Sequence, residues 1–186
     1  MFGKLFKKKP KRNGFDQFIE MVLQNEGYYV SQNTVFDLGD GAGMTHKSGI
    51  TESVYAKYLG KNSVTKAEMK AMTMEDIRQI YKHRYWDSVG ADALPDGLAL
   101  CVADMGVNAG PSRARRLLQR AVGAKEDGVI GPKTMAAIES QKNTLIDDYS
   151  NVRIAYYKRL KQFPKFGKGW LHRVETVRDL AKKVKA

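Results

Sequence analysis

Glu26 is the residue of this chain with the clearest capacity for acid chemistry. Counting ~100° per residue, Ile19, Val22 and Glu26 all fall within ~40° of Phe15 on an apolar helical face. Asp16, Gln17, Glu20, Gln24 and Asn25 gather on the opposite side. A carboxyl group that ends a hydrophobic stripe meets two influences against ionisation, burial and the negative end of a helix. It is expected to titrate high enough to donate a proton near neutral pH. The competing role is structural, a terminal Glu that bends out to water before Gly27 or pairs with an arginine, and position alone favours it.

The loop that follows, Tyr28 to Gly49, carries Asp37, Asp40 and Thr45, with Thr51 just beyond it. All of these can return over the helix end. Glycoside hydrolysis needs one carboxyl group kept protonated for the leaving oxygen. It also needs a second group that stabilises the developing oxocarbenium ion or positions water on the other face. An apolar helix end followed by an acidic, hydroxyl-bearing loop supplies both environments, although a turn or capping role for Asp40 and Thr45 weighs as much.

Other chemistries find less support. His46, His83 and His172 lie in separate segments without metal-ligand spacing, so neither a metal site nor a cofactor is expected. Cys101 lies in an apolar run, as a buried inert thiol would. Walker loop, dinucleotide fingerprint and nucleophile elbow are all missing, and Gly39, Gly41 and Gly43 follow no predicted strand.

The elements that must position these residues read as helices, which predicts an all-α fold. The first spans Phe15 to Glu26, with Gly27 its stop. The glycine-bearing loop after it is too irregular for a hairpin. Thr51 can cap a helix that Gly60 ends, and Thr65 with Glu68 and Thr73 with Asp76 form capping-box signatures. Pro95 introduces a strongly apolar central helix, on which Asp104 and Asn108 share a face, either lining a cleft or holding helices in register. Gly110-Pro111 breaks it and starts a basic helix, and Pro132 opens another after two quick turns. Long helices are expected from about Asn143 to Leu160 and from Trp170 to Lys183, separated by a Gly/Pro-interrupted aromatic stretch, Phe163 to Gly169. Residues 1–13 read as a basic disordered arm, and 14–91 and 92–186 as two helical regions packed as one compact unit, with a soft boundary near Ala91 to Pro95.

The 186 residues can bury a sizeable core, and 32 Lys+Arg against 20 Asp+Glu give a formal charge of +12. That charge attracts a polyanion: nucleic acid, anionic lipid or an anionic cell wall. No recognition motif accompanies it, so a nucleic-acid partner is not expected. The start, MFGKLFKKKPKR, is too short and too charged for a signal-peptide core or a membrane span, and a weak contact with anionic membrane is the most it predicts. A monomer is expected.

Several short motifs, in order, resemble glycoside hydrolase family 108, lysozyme-like N-acetylmuramidases found among phage endolysins and secretion-associated muramidases. They are Asn25-Glu26-Gly27-Tyr28-Tyr29-Val30, the loop from Asp37 to Thr45, Gly49-Ile50-Thr51, Arg84-Tyr85-Trp86-Asp87 and Val107-Asn108-Ala109-Gly110. The latter half, with Asp127-Gly128-Val129-Ile130-Gly131-Pro132-Lys133-Thr134 and Phe166-Gly167-Lys168-Gly169-Trp170, is similar to the predicted peptidoglycan-binding region that accompanies this module. The resemblance implies a lysozyme-like helical fold. It also implies a Glu acting as general acid on the β-1,4 bond between N-acetylmuramic acid and N-acetylglucosamine, a role that falls on Glu26. Asp40, in preference to Asp37, and Thr45 are then placed to hold the attacking water, and Tyr29, Thr51, Asp104 and Asn108 are substrate-binding positions. A phage endolysin, made in the bacterial host cytoplasm and acting on periplasmic peptidoglycan, is the role implied; a non-catalytic peptidoglycan-binding or secretion-accessory protein is the alternative. Where the family usually reads Glu-Gly-Gly-Tyr, this chain has Tyr28, which a positive φ would strain, so the turn is expected to be rebuilt. His46-Lys47-Ser48 also replaces the usual residues before Gly49, where substrate contacts are expected to change.

Overall fold

The structure, a computed structural model, describes residues 14–30, 34–37, 43–141 and 143–184; the basic arm and Asp40 lie outside them. Helix α1 (Gly14–Asn25) buries Phe15, Phe18, Ile19, Met21, Val22 and Leu23, and Gly27 with φ +66° turns the chain out of it. Helices α2 (Glu52–Tyr58), α3 (Lys66–Lys70) and α4 (Met74–Tyr81) follow. Both capping boxes form: Thr65 and Thr73 accept from the backbone N–H of Glu68 and Asp76, whose carboxylates accept in return. A wider π turn, Lys82–Trp86, continues α4 and brings Trp86 into the core, where its indole N–H donates to Asp92 at 2.6 Å.

Helix α5 (Asp96–Ala109) is apolar on all sides and is accordingly wrapped by α1, α6 (Pro111–Ala121), α8 (Leu145–Lys158) and α9 (Phe163–Val184). Helix α7 (Pro132–Ser140) lies between α6 and α8 in the chain. One apolar cluster runs from Phe15 to Ala181, so segments 14–91 and 92–184 share a core. Cys101 lies inside it, and burial pushes its thiol up to about 12, leaving it protonated and unreactive.

The fold is mostly helical, and two details differ from the sequence reading. The loop held too irregular for a hairpin contains one: β1 (Val35–Asp37) pairs antiparallel with β2 (Met44–His46) in the register Val35–His46, Phe36–Thr45 and Asp37–Met44. Strands of three residues are too short to show alternation. Helix α9 starts at Phe163, not Trp170, because Pro164 falls in the first turn, where no N–H is needed, and Gly167 seats the Phe163 ring.

Gly97 marks the tightest helix crossing, for a Cβ there would stand 2.4 Å from the Ala181 carbonyl oxygen and 2.8 Å from Ile146 Cδ1. Gly97→Ala is therefore expected to push α5 and α9 apart and destabilise the fold by about 2 kcal/mol despite alanine's better helix propensity. A thermal melt should show the midpoint falling by about 6 °C.

Candidate active site

The end of α1 meets the hairpin at Glu26. Gly49, with φ +83°, lies directly against that carboxyl group: a Cβ on it would sit 3.1 Å from Glu26 Cδ and 3.2 Å from Oε2. Glycine is required there twice over, by its backbone conformation and by this close approach. Ile50 next to it is buried, and Thr51 forms an isolated bridge with Thr45 before α2 begins. Lys47 crosses toward the turn after α1, its Nζ close to Gly27 and 5.4 Å from the Phe36 ring centre. The structure thus brings Thr45 and Thr51 together, and ties both to the Gly49 that faces Glu26.

Tyr81, on α4, closes the floor. Its hydroxyl donates to the Ser48 carbonyl at 2.8 Å, and it would lie 3.2 Å from a Cβ at Gly49. Burial, and after it the neighbouring Glu26 charge, push the phenol well above its ordinary value, so it remains a neutral donor that pins the turn.

Glu26 is not sealed into the core. Its side chain is 31% exposed, and Arg173 Nη1 of α9 stands 3.8 Å from Oε1. Both outcomes weighed for a terminal Glu, access to water and an arginine neighbour, occur together, beside a carboxyl that still ends an apolar helix.

Arg173 is held from behind. Asp104, fully buried on α5, accepts from Arg173 Nε at 3.0 Å and Nη2 at 2.7 Å through Oδ1, while its Oδ2 lies 2.7 Å from Arg153 Nη2 of α8. Arg153 Nε donates to the Tyr157 hydroxyl at 3.1 Å, which donates to Asn108 Oδ1 at 3.0 Å. The expectation that Asp104 contacts substrate is corrected: with no exposed surface and both oxygens engaged, it stands behind the site as the anchor of Arg173. Asn108 is exposed at the end of this chain of bonds. Tyr29 is also exposed, with its hydroxyl donating to Glu20 at 3.0 Å on the outer side of α1.

The two departures from the family pattern are absorbed internally. Gly27 takes the positive φ, which leaves Tyr28 in a right-handed 3₁₀ turn, buried against the His46 ring at 6.0 Å. His46 is itself buried, with Nδ1 2.8 Å from Ser48 Oγ, so it braces the hairpin rather than meeting a ligand. Burial holds its pKa below the ordinary imidazole value.

Sequence reasoning identified Asp104 as a polar group in need of partners but not Arg153 and Arg173, which lie 49 and 69 residues further on. The available signal was Arg153 between Tyr149 and Tyr157 at four-residue spacing, a charge on a face otherwise built for the core. A separate concavity of about 750 Å³ opens where α6 meets the turn before α7. There the Asp127 to Thr134 motif is tied to α6: Gln119 accepts from Gly128 N at 2.7 Å and donates to Asp127 at 2.7 Å.

Burial alone would push the Asp104 carboxyl up, but Arg153 and then Arg173 overcome it and hold it below the usual carboxylate range. A depressed folded pKa gives stability that is present above the unfolded value, ~3.9, and lost as pH falls through the folded one. Asp104→Asn, which strands two guanidinium groups, is expected to cost about 3 kcal/mol at neutral pH. Urea unfolding should show the gap between wild type and variant narrowing below about pH 4.

A family model described as glycosyl hydrolase 108 matches residues 19–110, and one described as a predicted peptidoglycan domain matches residues 113–175. The first match ends at Gly110 and the second begins at Arg113, both on the far side of α5 from the boundary near Ala91 to Pro95 read from the sequence. No curated protein matches. Among solved structures, the chain is similar to SagA of Brucella abortus, with 36% identity over 92% of this chain and 95% of that one and a TM-score of 0.78. The chain belongs to the glycosyl hydrolase 108 family, as a peptidoglycan hydrolase of lysozyme-like, mostly helical fold that carries a predicted peptidoglycan domain.

Proposed function

We propose that this protein is an N-acetylmuramidase that cleaves the β-1,4 bond between N-acetylmuramic acid and N-acetylglucosamine, with Glu26 as general acid. The observation that carries this reading is the partly exposed Glu26 carboxyl at the meeting point of α1, the hairpin and α9, on a floor made by Gly49 and Tyr81. A sugar chain laid between hairpin and helices would bring its bridging oxygen to Glu26. The C1–O bond of muramic acid breaks, the departing oxygen takes the Glu26 proton, and a water oxygen bonds to C1 as its proton passes to a base. Arg173 then faces the carboxylate that remains, which favours completion of the transfer. Thr45, next to Thr51 on the hairpin, and Asp40 of the connecting segment are the groups assigned to hold that water, while Thr51, Asn108 and Tyr29 are carried as sugar contacts.

The formal charge of +12 suits an anionic wall. Among the described residues no helix is long and apolar enough to cross a membrane. A phage endolysin, made in the host cytoplasm and acting on the periplasmic wall as a monomer, is the biological role in keeping with these features, with a weak membrane contact assigned to the basic arm.

Glu26→Gln is expected to reduce murein cleavage by on the order of 10³-fold while leaving the melting curve in place. Mass spectrometry of digested murein reads the result as the loss of new reducing-end muramic acid. A variant that keeps most of its turnover removes Glu26 from the acid role. Between the two acidic loop residues, Asp40→Asn should reduce kcat more than Asp37→Asn; the reverse order transfers the water-holding role to Asp37, which sits in β1 opposite Met44.

A further inference from the structure

Helix α9 does more than deliver Arg173. Phe166, Trp170 and Arg173 are spaced four and three residues apart, which places them within ~60° of one another on one helix face and spreads them over about 10 Å of its length. Arg173 ends that face beside Glu26. Trp170 stacks on Tyr157 with ring centres 5.1 Å apart and planes inclined by 26°, and Phe166 follows at 5.8 Å and 34°. Exposure rises along this series: Tyr157 is fully buried, Trp170 is half-buried and Phe166 is 45% exposed.

A lone exposed Phe needs no explanation. This one is the outermost ring of a braced stack. Tyr157 is fixed by the Arg153 donor and by its own bond to Asn108, and Arg153 is fixed by Asp104, the residue that also holds Arg173. The stack and the catalytic neighbour are therefore set by the same buried carboxylate, so ordering them costs little on binding. The exposed Asn108 spends its Oδ1 on Tyr157, which leaves its NH2 as a donor. Lys165 Nζ lies over the Phe166 ring, 5.1 Å from its centre, so a sugar seated there meets the ring together with a movable surface cation.

We propose that Phe166 and Trp170, with Asn108 joined to their stack through Tyr157, form a stacking subsite for the glycan strand beyond the scissile bond. A pyranose ring offers an apolar C–H face and a hydroxyl rim, which fits a flat aromatic surface flanked by an amide donor. The spread from Arg173 to Phe166 is the reach of a disaccharide, so sugars seated on Phe166 belong to the strand whose bond lies over Glu26. The inference rests on the muramidase reading for its direction along the strand, but the stacking itself does not require turnover.

The test combines kinetics with direct binding. Phe166→Ala is expected to raise KM for murein about fivefold while kcat changes less than about twofold, with Phe166→Tyr restoring KM and Phe166→Leu failing to, because a flat ring is what the sugar face needs. Binding is read in the Glu26→Gln protein by tryptophan fluorescence with peptide-free murein oligosaccharides; Trp86 is buried, so Trp170 is the reporter. Adding Phe166→Ala should weaken that Kd about fivefold, whereas Met74→Ser, which removes a comparably exposed apolar side chain from α4, should leave it alone. An unaltered Kd in the Phe166→Ala background overturns the subsite, as does displacement of the fluorescence change by free stem peptide. Normal murein cleavage with a silent Phe166 removes the subsite and keeps the muramidase; Phe166-dependent oligosaccharide binding without cleavage does the opposite.

Discussion

Asp104 is the constraint around which this molecule is organised. A carboxylate with no exposed surface is tolerated only when cations and hydrogen bonds replace its water. Here two guanidinium groups from two different helices do so, joining α5 to α8 through Arg153 and to α9 through Arg173. Replacement by well-packed apolar residues would often stabilise a core more than such a triad does. What an apolar replacement lacks is direction: the Asp104 pair fixes one guanidinium so that its remaining Nη1 faces Glu26. Charge burial here is spent on placing a cation at a partly open carboxyl.

The hairpin lobe brings the opposite wall by a different device. Its position depends on backbone approach rather than on charge: Gly49 has no Cβ to keep it from Glu26, and Tyr81 secures the adjacent carbonyl from below. Tyr28 and His46 fill the space under the strands. Gly27 carries the positive φ of this turn, so Tyr28 adds a buried ring to the lobe's core without left-handed backbone strain.

Local signals in the sequence were reliable where local physics decides. The capping residues Thr65 and Thr73, the proline starts at Pro111 and Pro132 and the strongly apolar α5 all follow from interactions within a few residues. The hairpin was missed because strands of three residues carry no period, and the start of α9 because Pro164 and Gly167 read as breakers until their neighbours are known. At the site, Glu26, Gly49 and the Thr45/Thr51 pair were legible as a helix end followed by a characteristic loop. Arg173 and Tyr81 were not, since each acts through a contact formed only when distant helices pack. Asp104 shows the boundary between the two cases: its need for partners could be read, but not which arginines would answer, and so its role changed from sugar contact to anchor.

Arg173 and Glu26 belong to different family matches, one within residues 113–175 and the other within 19–110. The two matches thus divide an ion pair that the folded chain makes across them. An exchange of the latter half for another wall-targeting segment would take away the guanidinium and the helix that braces α5, however well the new segment adhered to murein. A change in either half must preserve a contact that the other supplies, and the segment matched as a predicted peptidoglycan domain is for that reason also a structural component of the segment matched as glycosyl hydrolase 108.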